Sequence, residues 1–153
     1  MVATAVQEAI KTLCIEKDIF IAAPPDLAFE ATLEGLGPAN EIPGGTPMPM
    51  VLEAWPGGRW YRDLGNNSGH LWGHIQVIKP PSLLEICGPL FMSYACANHV
   101  QYRFVAEGSG TRLKLVHRAI GEIAAEHRDG VDMGWTHILG RLQKLAEARL
   151  KST

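Results

Sequence analysis

Apolar and polar residues alternate with a period of two along most of this sequence, and that pattern predicts β-strands. Residues 1–12 lack a clear period and are predicted to form a frayed leader or a short helix. The strand that follows is predicted to place on one face Leu13, Ile15, Ile19, Ile21 and Ala23. Pro24 and Pro25 end this strand, and a proline favours the first turn of the short helix that we predict over residues 26–33.

A segment rich in glycine and proline comes next. Between Gly35 and Pro49, eight of fifteen residues are Gly or Pro, which excludes regular secondary structure. A loop of this length is unusual in a compact domain, and such loops are often lids or rims of binding sites.

Six further alternating stretches are separated by turns rich in Gly, Pro and Asn, which is typical of antiparallel hairpins. The predicted strands cover residues 50–55, 59–64, 70–79, 83–87, 98–106 and 111–119. In the last strand, Leu113, Leu115 and His117 share one face, while Arg112 and Lys114 share the other. We therefore expect a sheet with one dry face and one largely wet face.

The period changes to 3.6 near the end of the chain, where we predict a long amphipathic helix over about residues 124–150. Its apolar stripe includes Val131, Trp135 and Leu142. This stripe is expected to cover the dry face of the sheet.

Three glycines interrupt the predicted helix, at Gly130, Gly134 and Gly140. Each weakens a helix by about 1 kcal/mol relative to alanine. Close approach of the helix to the sheet is the simpler explanation for them, and room for a ligand beneath the helix is the other.

Together the elements predict one α+β domain over residues 13–150. Its curved antiparallel sheet of about seven strands wraps around the long C-terminal helix, with a short helical segment and a loop after the first strand. A strongly curved sheet and a single helix leave space between them, which favours an internal pocket.

Composition narrows the function classes. The chain has 153 residues, of which 46% are hydrophobic and 20% charged, and its net charge is −2. It therefore lacks the overall positive charge that binds nucleic acid or an anionic membrane. Three cysteines without a CxxC pair, and the absence of a secretory signal pattern, favour a cytoplasmic protein.

Four motifs in order carry a family resemblance: Ile21-Ala-Ala-Pro-Pro25, Leu52-Glu-Ala-Trp-Pro-Gly-Gly-Arg-Trp60, Gly73-His-Ile-Gln-Val-Ile-Lys-Pro-Pro81 and Gly134-Trp135. With the order of elements, they resemble the START/Bet v 1-like (SRPBCC) superfamily. The closest resemblance within it is to the family named after the activator of the heat-shock protein 90 ATPase. The resemblance covers about Leu13 to Arg149.

This resemblance implies a helix-grip fold with an internal hydrophobic cavity. The superfamily includes lipid and hormone carriers and polyketide cyclases, and it has no fixed catalytic set. The co-chaperone itself carries an additional N-terminal domain that binds the chaperone, and 153 residues leave no room for one. A chaperone partner therefore belongs to the alternatives and not to the leading hypothesis.

The leading hypothesis is a non-catalytic domain that binds a small hydrophobic or aromatic molecule between sheet and helix. The predicted ligand contacts are Trp55, Tyr61, His74, Tyr102, Phe104, Leu115, His117, Met133 and Trp135. No cofactor or metal is expected, because the histidines lack ligand spacing. His70 and His74, for example, lie roughly 13 Å apart along a strand.

A cyclase-type or hydrolase-type enzyme is the first alternative, with His117 and Tyr102 as acid/base candidates. His117 is expected to point inward, where it is either a core histidine with a hydrogen-bond partner or a residue that contacts the ligand. Glu53, Arg59 and Asp63 are expected to form a cross-strand cluster of ion pairs on the sheet surface. A site of paired carboxylates would need an inward partner for Glu53, and the sequence names none.

A chaperone-related or homodimeric interaction domain is the second alternative. The homodimer depends on the strand from His70 to Ile78. One face of this strand carries His70, Trp72, His74, Gln76 and Ile78, and the other carries Leu71, Gly73, Ile75 and Val77. If the first face points outward, which we slightly favour, Trp72 forms an exposed apolar patch for a dimer. If it points inward, it gives the pocket polar and aromatic groups.

Overall fold

The computed structural model describes residues 4–152 as seven strands and two helices. In chain order they are β1 (Lys11–Ile21), α1 (Pro25–Leu36), β2 (Val51–Leu52), β3 (Arg59–Gly65), β4 (Ser68–Lys79), β5 (Leu83–Gly88), β6 (Cys96–Glu107), β7 (Gly110–Gly121) and α2 (Ala125–Lys151). The predicted helix-grip architecture is confirmed, because one antiparallel sheet curves around a long C-terminal helix.

The sheet order is β1-β7-β6-β5-β4-β3-β2. Strands β2 to β7 are a continuous series of hairpins, and β1 returns to pair with β7 from Lys11↔Gly121 to Ile21↔Thr111. The longest pairing, between β6 and β7, runs from Cys96↔Gly121 to Glu107↔Gly110. The two longest pairings thus lie together on the β1 side of the sheet, and the two edges are the long β1 and the short β2.

Element boundaries differ from the predicted ones mainly around the glycine- and proline-rich loop. Strand β1 begins at Lys11, inside the predicted leader; Met1 to Ala3 of that leader lie outside the described residues. Helix α1 starts with Pro25 at its first turn and continues to Leu36, so the loop begins later than predicted. Only Val51–Leu52 of the predicted strand 50–55 pairs with β3.

The core lies between the concave face of the sheet and the two helices. Helix α2 contributes Trp135, Leu139, Leu142 and Ala146, and the sheet contributes Ile86, Val100, Tyr102, Leu113 and Leu115. Helix α1 packs on α2 at Gly35, where an added Cβ would lie 2.5 Å from Leu142 Cδ2. The short helix thereby holds the C-terminal half of α2 in place.

Strand β4 does not follow one simple alternation, because its register shifts at two points. Trp72 is the extra residue between the pairs Trp60↔Gly73 and Tyr61↔Leu71, and a second shift lies between Ile75 and Val77. Trp72 packs inward, while His74 is exposed on the convex face. The prediction that Trp72 and His74 share a face is therefore wrong, because a bulge reverses the side chain that follows it.

The same bulge removes the exposed patch on which the homodimer hypothesis relied. Trp72 is half-buried, with its ring 5.1 Å from that of Trp60 and 6.0 Å from that of Phe91.

Neither α1 nor α2 has the length and hydrophobicity of a membrane-spanning helix.

Candidate functional site

A pocket of about 400 Å³ lies beside the N-terminal half of α2. Three other parts of the chain close it: the end of α1 with the glycine- and proline-rich loop, strands β3 and β4, and the segment after β5. Its lining is mostly apolar and consists of Leu36, Asn40, Glu41, Ile42, Pro43, Met48, Trp60, Trp72, Leu90, Phe91, Glu126, His127, Gly130, Val131, Gly134, Trp135 and Ile138.

The glycines of α2 contribute space to this pocket. An added Cβ at Gly130, Gly134 or Gly140 would meet no atom within 4 Å among the described residues. Close approach of helix and sheet, the simpler explanation of these glycines, is therefore wrong. Gly130 and Gly134 line the pocket, while Gly140 lies two turns further along α2, outside the lining. Two of the three glycines thus keep one stripe of the helix open.

Four rings form a continuous aromatic belt along the pocket: Trp60, Trp72, Phe91 and His127. Neighbouring centroids are 5.1, 6.0 and 5.1 Å apart, with interplanar angles of 77°, 61° and 89°. Such edge-to-face contacts fix the position of each ring. Trp60 is also anchored by its indole N–H, which donates to the Leu36 carbonyl at 2.8 Å. The belt is thus a preorganised aromatic surface.

The loop that covers the pocket is attached to α2 through polar contacts. Arg141 donates from Nη2 to the Ala39 carbonyl at 2.6 Å, and its Nη1 lies 3.2 Å from Glu41. Within the loop, Asn40 donates to the Met48 carbonyl at 3.0 Å. These contacts hold the loop closed against the helix.

A second polar contact lies at the other end of the pocket, at the first turn of α2. The Tyr94 hydroxyl is 2.7 Å from His127 Nδ1, and its oxygen accepts the N–H of Ala124 at 3.3 Å. The two rings are stacked, with centroids 5.6 Å apart. Tyr94 thereby fixes how His127 sits in the pocket wall.

His117 is a core histidine with both ring nitrogens in use. Trp135 Nε1 donates to its Nδ1 at 2.9 Å, and its Nε2 lies 2.7 Å from Asn98 Oδ1. Since an indole N–H only donates, Nδ1 is the acceptor and Nε2 carries the proton. Burial lowers the pKa of His117 from 6.5 to about 4, so the ring is neutral at pH 7.

Among the predicted ligand contacts, Trp135 is the one that lines the pocket. Tyr102, Phe104, Leu115 and His117 are buried in the floor of the core. Burial also raises the pKa of the Tyr102 hydroxyl well above its ordinary range. Sheet side chains and α2 meet at this point, so the centre of the sheet is packed and does not border the pocket.

The other predicted contacts lie on the outside of the molecule. Trp55 is 57% exposed and Met133 is 77% exposed. Arg59 Cζ lies 4.7 Å from the centroid of the Tyr61 ring, so the guanidinium covers this ring. His74 is exposed. None of the four lines the pocket. Trp60, Phe91 and His127 were not among the predicted contacts, and Trp72 was expected in the pocket only under the inward alternative for its strand face. The loop and the α2 glycines pointed to this end of the fold.

Of the predicted surface cluster, the pair of Glu53 and Arg59 is confirmed, whereas Asp63 accepts the backbone N–H of Gly65 at 2.8 Å. Arg59 donates from Nε and Nη2 to the two Glu53 oxygens, each at 2.8 Å, and this contact lowers the pKa of Glu53 to about 2. Glu53 is therefore part of the sheet surface. Among residues 4–152 no group of three or more His, Cys, Asp or Glu side chains could hold a metal ion.

The curved antiparallel sheet around a C-terminal helix defines an α+β protein of the helix-grip class. Its family follows from the sequence: the profile of the family described as activator of Hsp90 ATPase homolog 1-like protein matches residues 22–147, and the chain belongs to this family. No curated protein matches the sequence.

Solved structures share the fold at low sequence identity. A protein of unknown function from Staphylococcus aureus is 12% identical with a TM-score of 0.69, over 93% of this chain and 98% of that one. CalU16 from Micromonospora echinospora is 19% identical with a TM-score of 0.59, over 95% and 90%.

A third similar structure is StfQ, a di-domain ARO/CYC from the steffimycin biosynthetic pathway. It is 16% identical with a TM-score of 0.66, over 92% of this chain and 52% of that one. The chain thus corresponds in length to about half of StfQ.

Proposed function

We propose that this chain binds a small hydrophobic or aromatic molecule in the pocket beside α2. The observation that carries the proposal is an apolar space of about 400 Å³ lined by Trp60, Trp72 and Trp135. Ligand sites of proteins are typically concave, mostly apolar and about 300–1,000 Å³ in volume. Family membership supports the same class of function.

The helix glycines add a second line of support. Gly130 and Gly134 lower helix propensity and do not serve close packing, since open space faces both positions. A preformed space that costs helix stability is readily explained if a ligand fills it. The aromatic belt then provides ring faces and edges for stacking.

Binding does not require the acid/base chemistry considered for His117 and Tyr102. His117 is 0% exposed and Tyr102 is 1% exposed, and neither lines the pocket. No observation favours a reaction at these two residues over their role in packing.

The test combines a ligand screen with a matched pair of variants. Native mass spectrometry and thermal-shift screening of neutral two- and three-ring aromatic compounds should identify binders. Gly134→Leu should abolish binding because its side chain enters the pocket. Gly140→Leu introduces the same side chain into the same helix, but outside the pocket lining. This variant should therefore bind the ligand as tightly as the unmodified protein does. Equal binding by both variants, or no binder at all, would contradict the proposal.

A further inference from the structure

The contacts of His127 favour one of its two neutral tautomers. Tyr94 Oη lies 2.7 Å from His127 Nδ1 and also accepts the Ala124 N–H. Since that oxygen already accepts one hydrogen bond, the arrangement that satisfies both side chains has the Tyr94 hydroxyl donating to His127 Nδ1. A neutral imidazole that accepts at Nδ1 carries its proton on Nε2. The remaining nitrogen of His127 is therefore a donor.

The other polar side chains of the lining are engaged elsewhere or are acidic. Asn40 uses its N–H to hold Met48, and Glu41 is paired with Arg141. Glu126 is exposed in the first turn of α2. Three side-chain N–H groups of the described lining have no acceptor among the described contacts: Nε2–H of His127, the indole N–H of Trp72 and the second amide hydrogen of Asn40. Of the two donors in the aromatic belt, the one on His127 belongs to a ring whose orientation a hydrogen bond fixes.

The charges of the lining disfavour an anionic ligand. Glu41 and Glu126 are its charged residues, and within residues 4–152 it includes neither Lys nor Arg. A ligand carboxylate would lose its hydration in the pocket without a cation in the wall to compensate. A neutral acceptor, such as a carbonyl oxygen, loses much less hydration energy and can accept the His127 proton.

On the basis of the proposed function, we propose that the pocket selects neutral aromatic ligands that carry a hydrogen-bond acceptor, and that His127 Nε2–H donates to that acceptor. Phe91 holds the His127 ring from its edge, and Tyr94 holds it at Nδ1. The belt residues Trp60 and Trp72 contact the ring system of the ligand. Tyr94 is a positioning residue, because it acts on the ligand through His127.

Three two-ring probes of similar shape test this inference by isothermal titration calorimetry. 2-Acetylnaphthalene has a neutral carbonyl acceptor, 2-isopropenylnaphthalene replaces the oxygen by a CH₂ group, and 2-naphthoate carries a charge. The ketone should bind about three- to tenfold more tightly than the hydrocarbon, the gain typical of one net hydrogen bond. The carboxylate should bind most weakly.

Variants assign this preference to its residue. His127→Phe keeps an aromatic ring but removes the donor, so ketone and hydrocarbon should bind equally. His70→Phe makes the same change at an exposed residue of β4 outside the lining and should leave the preference intact. Tyr94→Phe removes the proton that holds Nδ1 as the acceptor and should reduce the preference.

The outcomes separate the two proposals. If no two-ring probe binds to the unmodified protein, the proposed function fails. If ketone and hydrocarbon bind it equally, or the carboxylate binds best, the inference about the ligand class is overturned while the proposed function stands. A ketone preference that persists in His127→Phe overturns the role of His127. The first comparisons need no variant, so they do not depend on how a variant folds.

Discussion

The indole N–H of Trp135 donates to Nδ1 of His117 at 2.9 Å, which joins a wall of the pocket to the centre of the sheet. Since Asn98 accepts from the opposite side of the imidazole, a short buried chain of three side chains fixes the Trp135 ring. The Trp135 wall of the pocket is therefore held by hydrogen bonds to the core behind it.

Removing the imidazole should destabilise the fold. In His117→Phe, the Trp135 N–H loses its acceptor and Asn98 Oδ1 loses its donor, and both groups stay buried. This should lower the free energy of unfolding by about 2–4 kcal/mol. Urea denaturation measures the change. His70→Phe, at an exposed position, should change stability by less than about 0.5 kcal/mol. Similar midpoints for the two variants would contradict the structural role of His117.

The same histidine should make stability depend on pH. Its pKa falls from 6.5 to about 4 on folding because burial disfavours the charged form. Between these values the unfolded chain binds more protons, so stability is full above pH 6.5 and decreases as the pH falls towards 4. The loss should reach about 3 kcal/mol. Protonation of Nδ1 would also place two N–H donors against each other, because the Trp135 N–H points at this nitrogen.

Urea denaturation between pH 7.5 and 4.5 measures this dependence, with His117→Gln as the reference. The glutamine variant should be less stable at pH 7.5, and its stability should fall less with acid. Parallel pH profiles for the two proteins would show that His117 does not contribute to the acid sensitivity.

The glycines of α2 should lower the stability of the protein, and two of them should also keep space free in the pocket. Gly130→Ala, Gly134→Ala and Gly140→Ala should each stabilise the protein by about 0.5–1 kcal/mol, since an added Cβ meets open space at all three. Thermal denaturation checks this. Affinity for a screened ligand should fall only for the two pocket positions. If Gly134→Ala destabilises the fold, the space at that position is not open in solution.

Two adjacent glycines of the Trp-Pro-Gly-Gly-Arg-Trp motif should respond differently to alanine. A Cβ at Gly58 would lie 1.9 Å from the Glu53 carbonyl oxygen, so Gly58→Ala should cost several kcal/mol or prevent folding. Gly57 has φ +83° and open space around it, so Gly57→Ala should cost only about 1 kcal/mol. Chemical denaturation measures the free energy of unfolding of both variants. Equal losses in the two would contradict the close approach of Gly58 to the Glu53 carbonyl.

The contacts of Arg141 should control the loop over the pocket. Arg141→Met keeps much of the aliphatic stem but removes the bonds to the Ala39 carbonyl and to Glu41. A freed loop should raise the dissociation rate of a bound ligand several-fold, with a smaller effect on association. Stopped-flow quenching of tryptophan fluorescence measures both rates. Lys144→Met, an exposed change on the same helix, is the control.

Periodicity predicted the architecture but could not predict the bulge. Counting along β4 assigns Trp72 and His74 to one face, whereas hydrogen bonding to β3 inserts Trp72 as an extra residue. Whether a strand accommodates such a residue depends on its partner strand and on what packs beneath it. A single strand's alternation contains neither piece of information.

The same reason explains why most of the predicted ligand contacts lie outside the pocket lining. Tyr102 and Leu115 face inward as expected, but Trp135 of α2 packs on Tyr102 with ring centroids 6.1 Å apart. Open space is found instead at Gly130 and Gly134, whereas α1 packs on α2 at Gly35 beside Leu142. The alternation of one strand contains no information on such contacts between helices. The irregular segment after β5, which supplies Phe91, gave no periodic signal.

The bulge in β4 brings a large side chain into the pocket lining from a position that has no partner in β3. The extra residue, Trp72, pairs with neither Trp60 nor Tyr61, which have Gly73 and Leu71 as their partners. Its indole contacts Trp60 of β3 on one side and Phe91 of the segment after β5 on the other. One inserted residue thereby bridges two parts of the chain that are far apart in sequence, so a smaller side chain at this position would separate them and widen the pocket.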